Sequence, residues 1–264
     1  MVADVASDAV RAPDVVGAWP GKRHWVVSLA RRYARRTLRQ RFDGVYAHGV
    51  DEARALNAKG PVIFACTHVC WWDAFALVMA DAALDSDGGV LMDDVNLRRL
   101  PFMGAIGAIP LATDGGARVR RQLQAAVSAL LAPRRGAPAS LWIFPQGRQR
   151  ASHLRPLGFQ SGLRLLAGRA GVPVVPVALS YPWREAAAPS VALRFMAPIT
   201  PSTSLVADVE ASVIDGLNAT DAAVDVRDEA ALGVRLVDSV VARGAEDGLG
   251  ARLLRRMLAT PEAP

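Results

Sequence analysis

Cysteine is scarce in this sequence, which contains only Cys66 and Cys70 in 264 residues. Two thiols four positions apart cannot staple distant parts of a fold, and a tetrahedral zinc site needs more ligands nearby. We therefore expect reduced, buried thiols, with metal binding as the alternative, and we expect no bound metal or cofactor. Internal repeats and long low-complexity linkers are also absent, so nothing in the sequence marks a second independent domain.

A membrane-spanning run is missing as well. The most apolar long stretch, residues 62–84, contains His68, Asp73 and Asp81, and ionisable groups are costly in a bilayer core. Residues 1–14 mix alanine and valine with aspartates, which is not the basic-then-apolar order of a secretory signal. The sequence therefore predicts a cytoplasmic protein, although 52% hydrophobic residues and a mean hydropathy of +0.19 favour contact with lipid.

Positive charge is concentrated near the N-terminus. The net charge of +6 and the pI of about 10.1 favour an anionic partner, such as phospholipid head groups, nucleic acid or cofactor phosphates. The basic residues of this segment are Lys22, Arg23, Arg31, Arg32, Arg35, Arg36, Arg39 and Arg41. We predict a basic amphipathic helix at the inner face of the cell membrane, because apolar residues are interleaved with these charges. They are Trp19, Trp25, Val26, Val27, Leu29, Tyr33 and Leu38. A solvated helix packed on the domain is the alternative.

The middle of the chain alternates strand-like and helix-like segments. Apolar runs rich in β-formers occupy 61–66, 89–92, 140–144, 172–179 and 191–195, and helical patterns occupy 73–84, 117–131 and 160–170. This alternation predicts a single α/β domain with a central, largely parallel or mixed sheet flanked by helices. We divide the chain into a basic N-terminal segment (1–41), a catalytic core (42–200) and C-terminal helices of the same domain (201–264).

Two segments with polar side chains, residues 67–73 and 145–150, follow predicted strands, the position where ligands gather in such sheets. In the first, His68 lies in a loop after a strand and Asp73 lies at the start of the next helix. An imidazole can take a proton from a hydroxyl near neutral pH, provided that a carboxylate fixes its tautomer. We therefore predict that His68 is a general base oriented by Asp73, which we also expect to cap the helix. A satisfied core histidine is the alternative.

Three motifs carry a resemblance to a known family. Residues 67–73, Thr-His-Val-Cys-Trp-Trp-Asp, resemble the His-x-x-x-x-Asp motif of the lysophospholipid (glycerolipid) acyltransferases. Residues 141–148, Leu-Trp-Ile-Phe-Pro-Gln-Gly-Arg, are similar to the family's Phe-Pro-Glu-Gly motif, and Val-Pro-Val-Val-Pro-Val at 172–177 is similar to the proline-containing motif that follows it. Order and spacing agree, and the resemblance extends over about residues 42–198.

The resemblance implies a membrane-associated enzyme that moves a fatty acyl group from acyl-CoA or acyl carrier protein to a lipid hydroxyl. His68 would take the acceptor's proton while the acceptor oxygen attacks the thioester, with no acyl-enzyme. A backbone amide near Gly147 would stabilise the oxyanion, although a tight turn also explains a glycine there. The block that would hold the acceptor and the oxyanion comprises Phe144, Pro145, Gln146, Gly147 and Arg148.

Departures from the family pattern concern the acceptor. Gln146 stands where the family usually has glutamate, and Arg148 where it has threonine. Residues 109–114 lack the arginine that the family uses for a glycerol phosphate, although Arg118 lies close by in sequence. We keep a lysophospholipid-like acceptor as the first hypothesis and a glycolipid, a carotenoid glycoside or a long-chain alcohol as the second.

Five residues near these motifs have two interpretations each. Trp71 and Trp72 either line an acyl or sugar site or belong to the core. Arg148 and Arg150 either meet donor phosphates or are surface charge, and Arg118 either replaces the missing arginine or lies on a solvated helix face. The competing class is a non-catalytic lipid-binding protein at the membrane surface. We do not expect a nucleic-acid partner, because no recognition motif accompanies the basic charge.

Overall fold

The structure is a computed structural model that describes residues 19–133 and 136–240. In this part of the chain, eight strands form one sheet with the order β4-β3-β5-β2-β6-β7-β1-β8. The strands are β1 (Gly44–His48), β2 (Val62–Cys66), β3 (Asp87–Asp93), β4 (Ala108–Leu111), β5 (Ala139–Ile143), β6 (Val174–Ser180), β7 (Val191–Phe195) and β8 (Val234–Asp238). The helices are α1 (His24–Arg41), α2 (Val50–Asn57), α3 (Asp73–Ala83), α4 (Asp94–Arg99), α5 (Phe102–Ala105), α6 (Gly116–Leu131), α7 (Gly162–Ala170) and α8 (Leu205–Asp225).

The sheet is mixed, and its parallel part extends from the edge strand β4 to β6. Strand β2 pairs in parallel with β5 on one side and with β6 on the other, and β3 and β4 continue the parallel part beyond β5. Beyond β6, strand β7 is antiparallel to it, and β8 is antiparallel to β1 at the edge. The predicted α/β class, with a largely parallel or mixed sheet flanked by helices, is confirmed.

Helices cover both faces of the sheet. Strands β2, β5 and β6 are apolar along most of their length, so both of their faces need an apolar layer, and all of their residues are buried. One layer contains α6, α7 and α8, whose apolar residues pack in one core cluster. The other contains α1, α2 and α3, whose apolar residues pack in a second. The site described below lies between these layers, at the edge where the parallel strands end.

The basic helix α1 is packed on the domain and also presents apolar side chains to solvent. Ala34 and Leu38 are buried against the α3 side of the core. Trp25, Leu29 and Tyr33, spaced four residues apart, are 64%, 53% and 64% exposed. Helix α1 is therefore packed on the domain, as in the second interpretation, and it also presents an exposed apolar stripe. Among the described helices, none is long and apolar enough to cross a membrane.

The C-terminal region differs in part from the predicted helices. Helix α8 agrees with the prediction, whereas residues 234–238 form strand β8 and pair with β1, so the helical prediction is wrong there. The pairing is tertiary in origin, because Arg235 of β8 bonds Tyr46 of β1 and Glu229. Residues 241–264, the rest of the predicted C-terminal helices, and residues 1–18 of the N-terminal segment lie outside the described residues.

Candidate active site

The site forms where the loops after three adjacent parallel strands meet. The loop after β2 carries His68, the loop after the neighbouring β5 carries Gln146, and Tyr181 follows β6 on the other side. The carboxyl ends of parallel strands lie at one edge of a sheet, so these loops converge although they are far apart in sequence. The two polar segments singled out in the sequence are therefore brought together as expected.

His68 and Asp73 are in direct contact. The distance between His68 Nδ1 and Asp73 Oδ2 is 2.6 Å, and the carboxylate side chain is 1% exposed while the imidazole is 25% exposed. Because a carboxylate only accepts, this bond selects the tautomer with hydrogen on Nδ1. Nε2 is then the ring nitrogen with a lone pair, and it can take a proton from a bound hydroxyl.

Asp73 does not cap helix α3 in the way the sequence suggested. Its Oδ2 accepts hydrogen bonds from the backbone amides of Val69 (2.7 Å) and Cys70 (3.1 Å), which precede the helix. The N-cap position belongs to Trp72, which makes no side-chain cap. The capping prediction is therefore wrong, because the carboxylate turns back onto the His68 loop instead of onto the first helical turn.

The backbone of His68 is held from both sides by the loop after β5. Its amide donates to Gln146 Oε1 at 2.6 Å, and its carbonyl accepts from the Arg150 amide at 2.8 Å. The ring of Phe144 stacks on the imidazole, with centroids 4.2 Å apart. Gln146 is 3% exposed, so its side chain holds the backbone of His68 from inside the protein.

Gly147 closes a tight turn at the edge of the site. Its φ is +67°, and its amide donates to the Phe144 carbonyl at 3.0 Å. A Cβ at this position would lie 2.8 Å from Gln160 Nε2. Gln160 also closes the loop, since its amide donates to the Pro145 carbonyl at 2.9 Å. The positive φ favours glycine at this position, because other residues rarely adopt this backbone conformation.

The three arginines predicted near the site have different surroundings. Arg118 forms ion pairs with Asp94 and with Asp114, the latter at 3.8 Å, so its charge is compensated within the protein. Arg150 donates to the Leu157 carbonyl at 2.8 Å and is half-buried. Arg148 is exposed at the tip of the turn.

The tryptophans and cysteines near the site also differ in exposure. Trp72 packs edge-on against Phe42, with centroids 5.3 Å apart, whereas Trp71 is 56% exposed.

Cys66 is buried and Cys70 half-buried as free thiols, and burial raises the pKa of both. Within the described ranges, no group of three or more His, Cys, Asp or Glu side chains is placed to hold a metal.

Sequence reasoning missed one residue of the site. The Tyr181 hydroxyl donates to Asp73 Oδ1 at 2.6 Å. Its position directly after a buried strand next to β2 was the signal that could have indicated it, because neighbouring parallel strands end at the same edge.

Comparison with known proteins agrees with this geometry. A family model described as Acyltransferase matches residues 45–180, about half of the chain, and the matched segment includes His68, Asp73 and Gln146. The chain belongs to the Acyltransferase family. The family predicted from the motifs is thereby confirmed.

A solved structure is similar to this acyltransferase-family chain in fold. It is the crystal structure of the 1-acyl-sn-glycerophosphate (LPA) acyltransferase PlsC from Thermotoga maritima, with a TM-score of 0.53 and 18% sequence identity. The similarity covers 74% of this chain and 80% of that one. At this identity the match establishes the fold alone. No curated protein sequence matches this family member significantly.

Proposed function

We propose that the protein is an O-acyltransferase that moves a fatty acyl group from acyl-CoA or acyl carrier protein to a hydroxyl of a lipid acceptor. The observation that carries the proposal is the bond between His68 Nδ1 and a buried Asp73 carboxylate, with the imidazole still partly exposed. A base, its orienting carboxylate and access for substrate are what direct acyl transfer requires.

The reaction balances without a covalent enzyme intermediate. His68 Nε2 takes the proton of the acceptor hydroxyl as the oxygen forms a bond to the thioester carbonyl carbon. The tetrahedral oxyanion then collapses, the carbon–sulfur bond breaks, and the thiolate receives the proton from the imidazolium. The products are an ester and a free thiol, and Asp73 stabilises the positive charge that His68 carries between the two steps.

The turn at 145–148 supplies the proposed oxyanion contact. The Gly147 amide is used within the turn, where it bonds the Phe144 carbonyl, so we assign the contact to the next amide, that of Arg148. The exposed Arg148 guanidinium is proposed to meet the phosphates of the donor. Trp71, which is exposed beside the His68 loop, is proposed to contact an acyl chain or a sugar.

The acceptor is a lipid hydroxyl, with a lysophospholipid-like molecule as the first candidate. One observation favours the second candidate, a glycolipid, a carotenoid glycoside or a long-chain alcohol. Arg118, the arginine nearest in sequence to the family's phosphate position, is already paired with the buried Asp94, so it offers no uncompensated positive charge to an acceptor phosphate.

The enzyme is proposed to work at the inner face of the cell membrane as a peripheral protein. The exposed stripe of Trp25, Leu29 and Tyr33 lies on a helix with many arginines, a combination that suits an anionic lipid surface. Tyr33 also contacts Phe75, at 5.9 Å between centroids, and Phe75 contacts Trp72 beside the site. The stripe therefore ends near the place where a lipid hydroxyl must arrive.

Thiol release tests the proposal. Wild type and His68→Ala are incubated with palmitoyl-CoA or with palmitoyl-acyl carrier protein, together with lysophosphatidic acid, other lysophospholipids, glycolipids and long-chain alcohols. We expect release that requires His68 and one class of acceptor, with the ester product identified by mass spectrometry. Release that is equal in His68→Ala would contradict the assigned base. Binding of acyl donor without release under any of these conditions would support the non-catalytic lipid-binding class.

A further inference from the structure

Tyr181 is placed beside the catalytic pair by the pairing of β2 with β6. The hydroxyl of Thr67, next to His68, makes two hydrogen bonds to Leu179. It accepts from the Leu179 amide at 2.8 Å and donates to the Leu179 carbonyl at 2.9 Å. These two bonds lock the ends of the neighbouring strands together. The residue two positions beyond Leu179 is therefore held at a fixed distance from the His68 loop.

The two oxygens of Asp73 have different partners. Oδ2 accepts from His68 and from the Val69 and Cys70 amides, whereas Oδ1 accepts from the Tyr181 hydroxyl at 2.6 Å and lies 3.8 Å from the Cys70 thiol. A thiol is a weak donor, so Tyr181 is the strong donor to Oδ1 among these contacts. Because a carboxylate is planar, fixing Oδ1 also fixes the direction in which Oδ2 points.

Tyr181 is itself rigidly held. Its ring packs against Phe42, with centroids 5.8 Å apart, and Phe42 in turn packs against Trp72. The loop that follows is anchored by Arg184, which bonds Ser190 at 3.0 Å and forms an ion pair with Asp43. Burial and the neighbouring Asp73 carboxylate raise the pKa of Tyr181, so its hydroxyl keeps the proton that it donates.

From this geometry we propose that Tyr181 is a positioning residue of the reaction, which holds Asp73 in the orientation that directs His68 and shares the carboxylate's negative charge. The inference rests on the proposed role of His68 as the base. The titratable groups that interact with Asp73 in the described structure are His68, Tyr181, Cys66 and Cys70.

The proposal predicts a specific effect of removing the hydroxyl. In Tyr181→Phe the ring still packs on Phe42, but Oδ1 loses its strong donor and the negative charge of Asp73 concentrates toward His68. A carboxylate that has lost one hydrogen-bond donor stabilises the positively charged imidazolium more strongly, so the pKa of His68 rises. We expect kcat to fall roughly 10-fold at neutral pH, the size of one hydrogen bond to a charged group, with KM unchanged. The acidic limb of the kcat/KM profile moves to higher pH.

The experiment has two readouts. The pH profile of kcat/KM is measured for wild type and Tyr181→Phe, and the pKa of His68 is measured by NMR titration of protein labelled at histidine, with the His68→Ala spectrum used for assignment. Tyr46→Phe is the matched control. It also removes a hydrogen-bonded hydroxyl from a buried ring, one bonded to Glu229 and Arg184, and it should lower stability while leaving the pKa of His68 unchanged.

The outcomes separate this inference from the proposed function. A raised pKa of His68 in Tyr181→Phe together with the shifted profile supports the positioning role. A pKa of His68 equal to that of wild type overturns it, as does an activity loss that is uniform across pH and matched by Tyr46→Phe. If wild type and His68→Ala release thiol equally, the proposed function fails, and the NMR titration still decides whether Tyr181 acts on the pair.

Discussion

The backbone amide of His68 donates a 2.6 Å hydrogen bond to the side-chain oxygen of Gln146, so the second motif holds the first in place. The amide nitrogen of the same side chain lies 3.5 Å from the Leu157 carbonyl, which it approaches as a donor. A glutamate could make the first contact but not the second, because an ionised carboxylate only accepts. The glutamine in place of the family's usual glutamate therefore has a local structural reason in this chain.

This arrangement predicts different effects for two substitutions at position 146. Gln146→Glu should keep the bond to His68 but place a carboxylate against the Leu157 carbonyl, and should lower the free energy of unfolding by about 1–3 kcal/mol. Gln146→Ala should release the His68 amide and lower kcat. Chemical denaturation and thiol release measure the two effects. A Gln146→Glu protein as stable as wild type would show that the Leu157 contact does not contribute to the free energy of unfolding.

Gly147→Ala should destabilise the turn by about 1–2 kcal/mol, because the backbone has a positive φ that L-residues avoid. The new Cβ also meets the Gln160 side chain at 2.8 Å. The matched control is Gly168→Ala in α7, where nothing lies within 4 Å of the added carbon and alanine favours the helix. Thermal unfolding of both variants gives the comparison, and equal melting temperatures would contradict the expectation.

Asp73→Asn should reduce turnover by roughly 10²–10⁴-fold, because an amide cannot fix the Nδ1–H tautomer and accept from Tyr181 at the same time. Stability should fall as well, since Oδ2 now satisfies the amides of Val69 and Cys70. Asp93→Asn is the control, because Asp93 is a true N-cap of α4 and asparagine caps equally well. Turnover and unfolding are measured for both, and loss of stability without loss of kcat would make Asp73 a structural residue.

Arg118→Ala should leave the KM of the acceptor unchanged, because the guanidinium is already paired with Asp94. Arg148→Ala should raise the KM for acyl-CoA severalfold, and the effect should diminish at high salt as exposed charges are screened. Steady-state kinetics at two ionic strengths test both statements. A large rise in acceptor KM for Arg118→Ala would restore the phosphate-binding interpretation and a lysophospholipid-like acceptor.

Binding to lipid is tested at the exposed stripe rather than by deletion. Removing residues 1–41 would also remove Ala34 and Leu38 from the core, so loss of binding in that variant would be ambiguous. Trp25→Ser with Leu29→Ser should weaken sedimentation with anionic vesicles and leave the fold intact. Leu165→Ser, an exposed leucine on α7 on the opposite face of the sheet, should bind as wild type does. Equal binding by all three proteins would place the membrane contact elsewhere.

The strands that build the site were predictable because their signal is local. Strands β2, β5 and β6 are short apolar runs, buried on both faces, and their composition alone favours strand formation. Strand β4 contains a proline and lies at the edge of the sheet, and β8 contains Arg235 and Asp238 in a region of helical composition. These two strands and β1 were not predicted. The stability of β4 and β8 comes from pairing with a neighbouring strand and, in β8, from the hydrogen bond of Arg235 to the distant Tyr46.

The sequence by itself determined the chemistry that is encoded within a few residues. His68 and Asp73 are joined by one short loop after a strand, so their contact depends mainly on local geometry, and the motif spacing identified them. The tertiary structure decided the rest: that Asp73 turns back onto the His68 loop, that Gln146 holds the backbone of His68, that Arg118 is paired with Asp94, and that Tyr181 completes the contacts of the Asp73 carboxylate. The last three of these contacts join residues 78, 24 and 108 positions apart, in that order. The contacts of Gln146 and Tyr181 depend on the order of β5, β2 and β6 in the sheet, and strand order is set by packing of the whole core rather than by any local pattern.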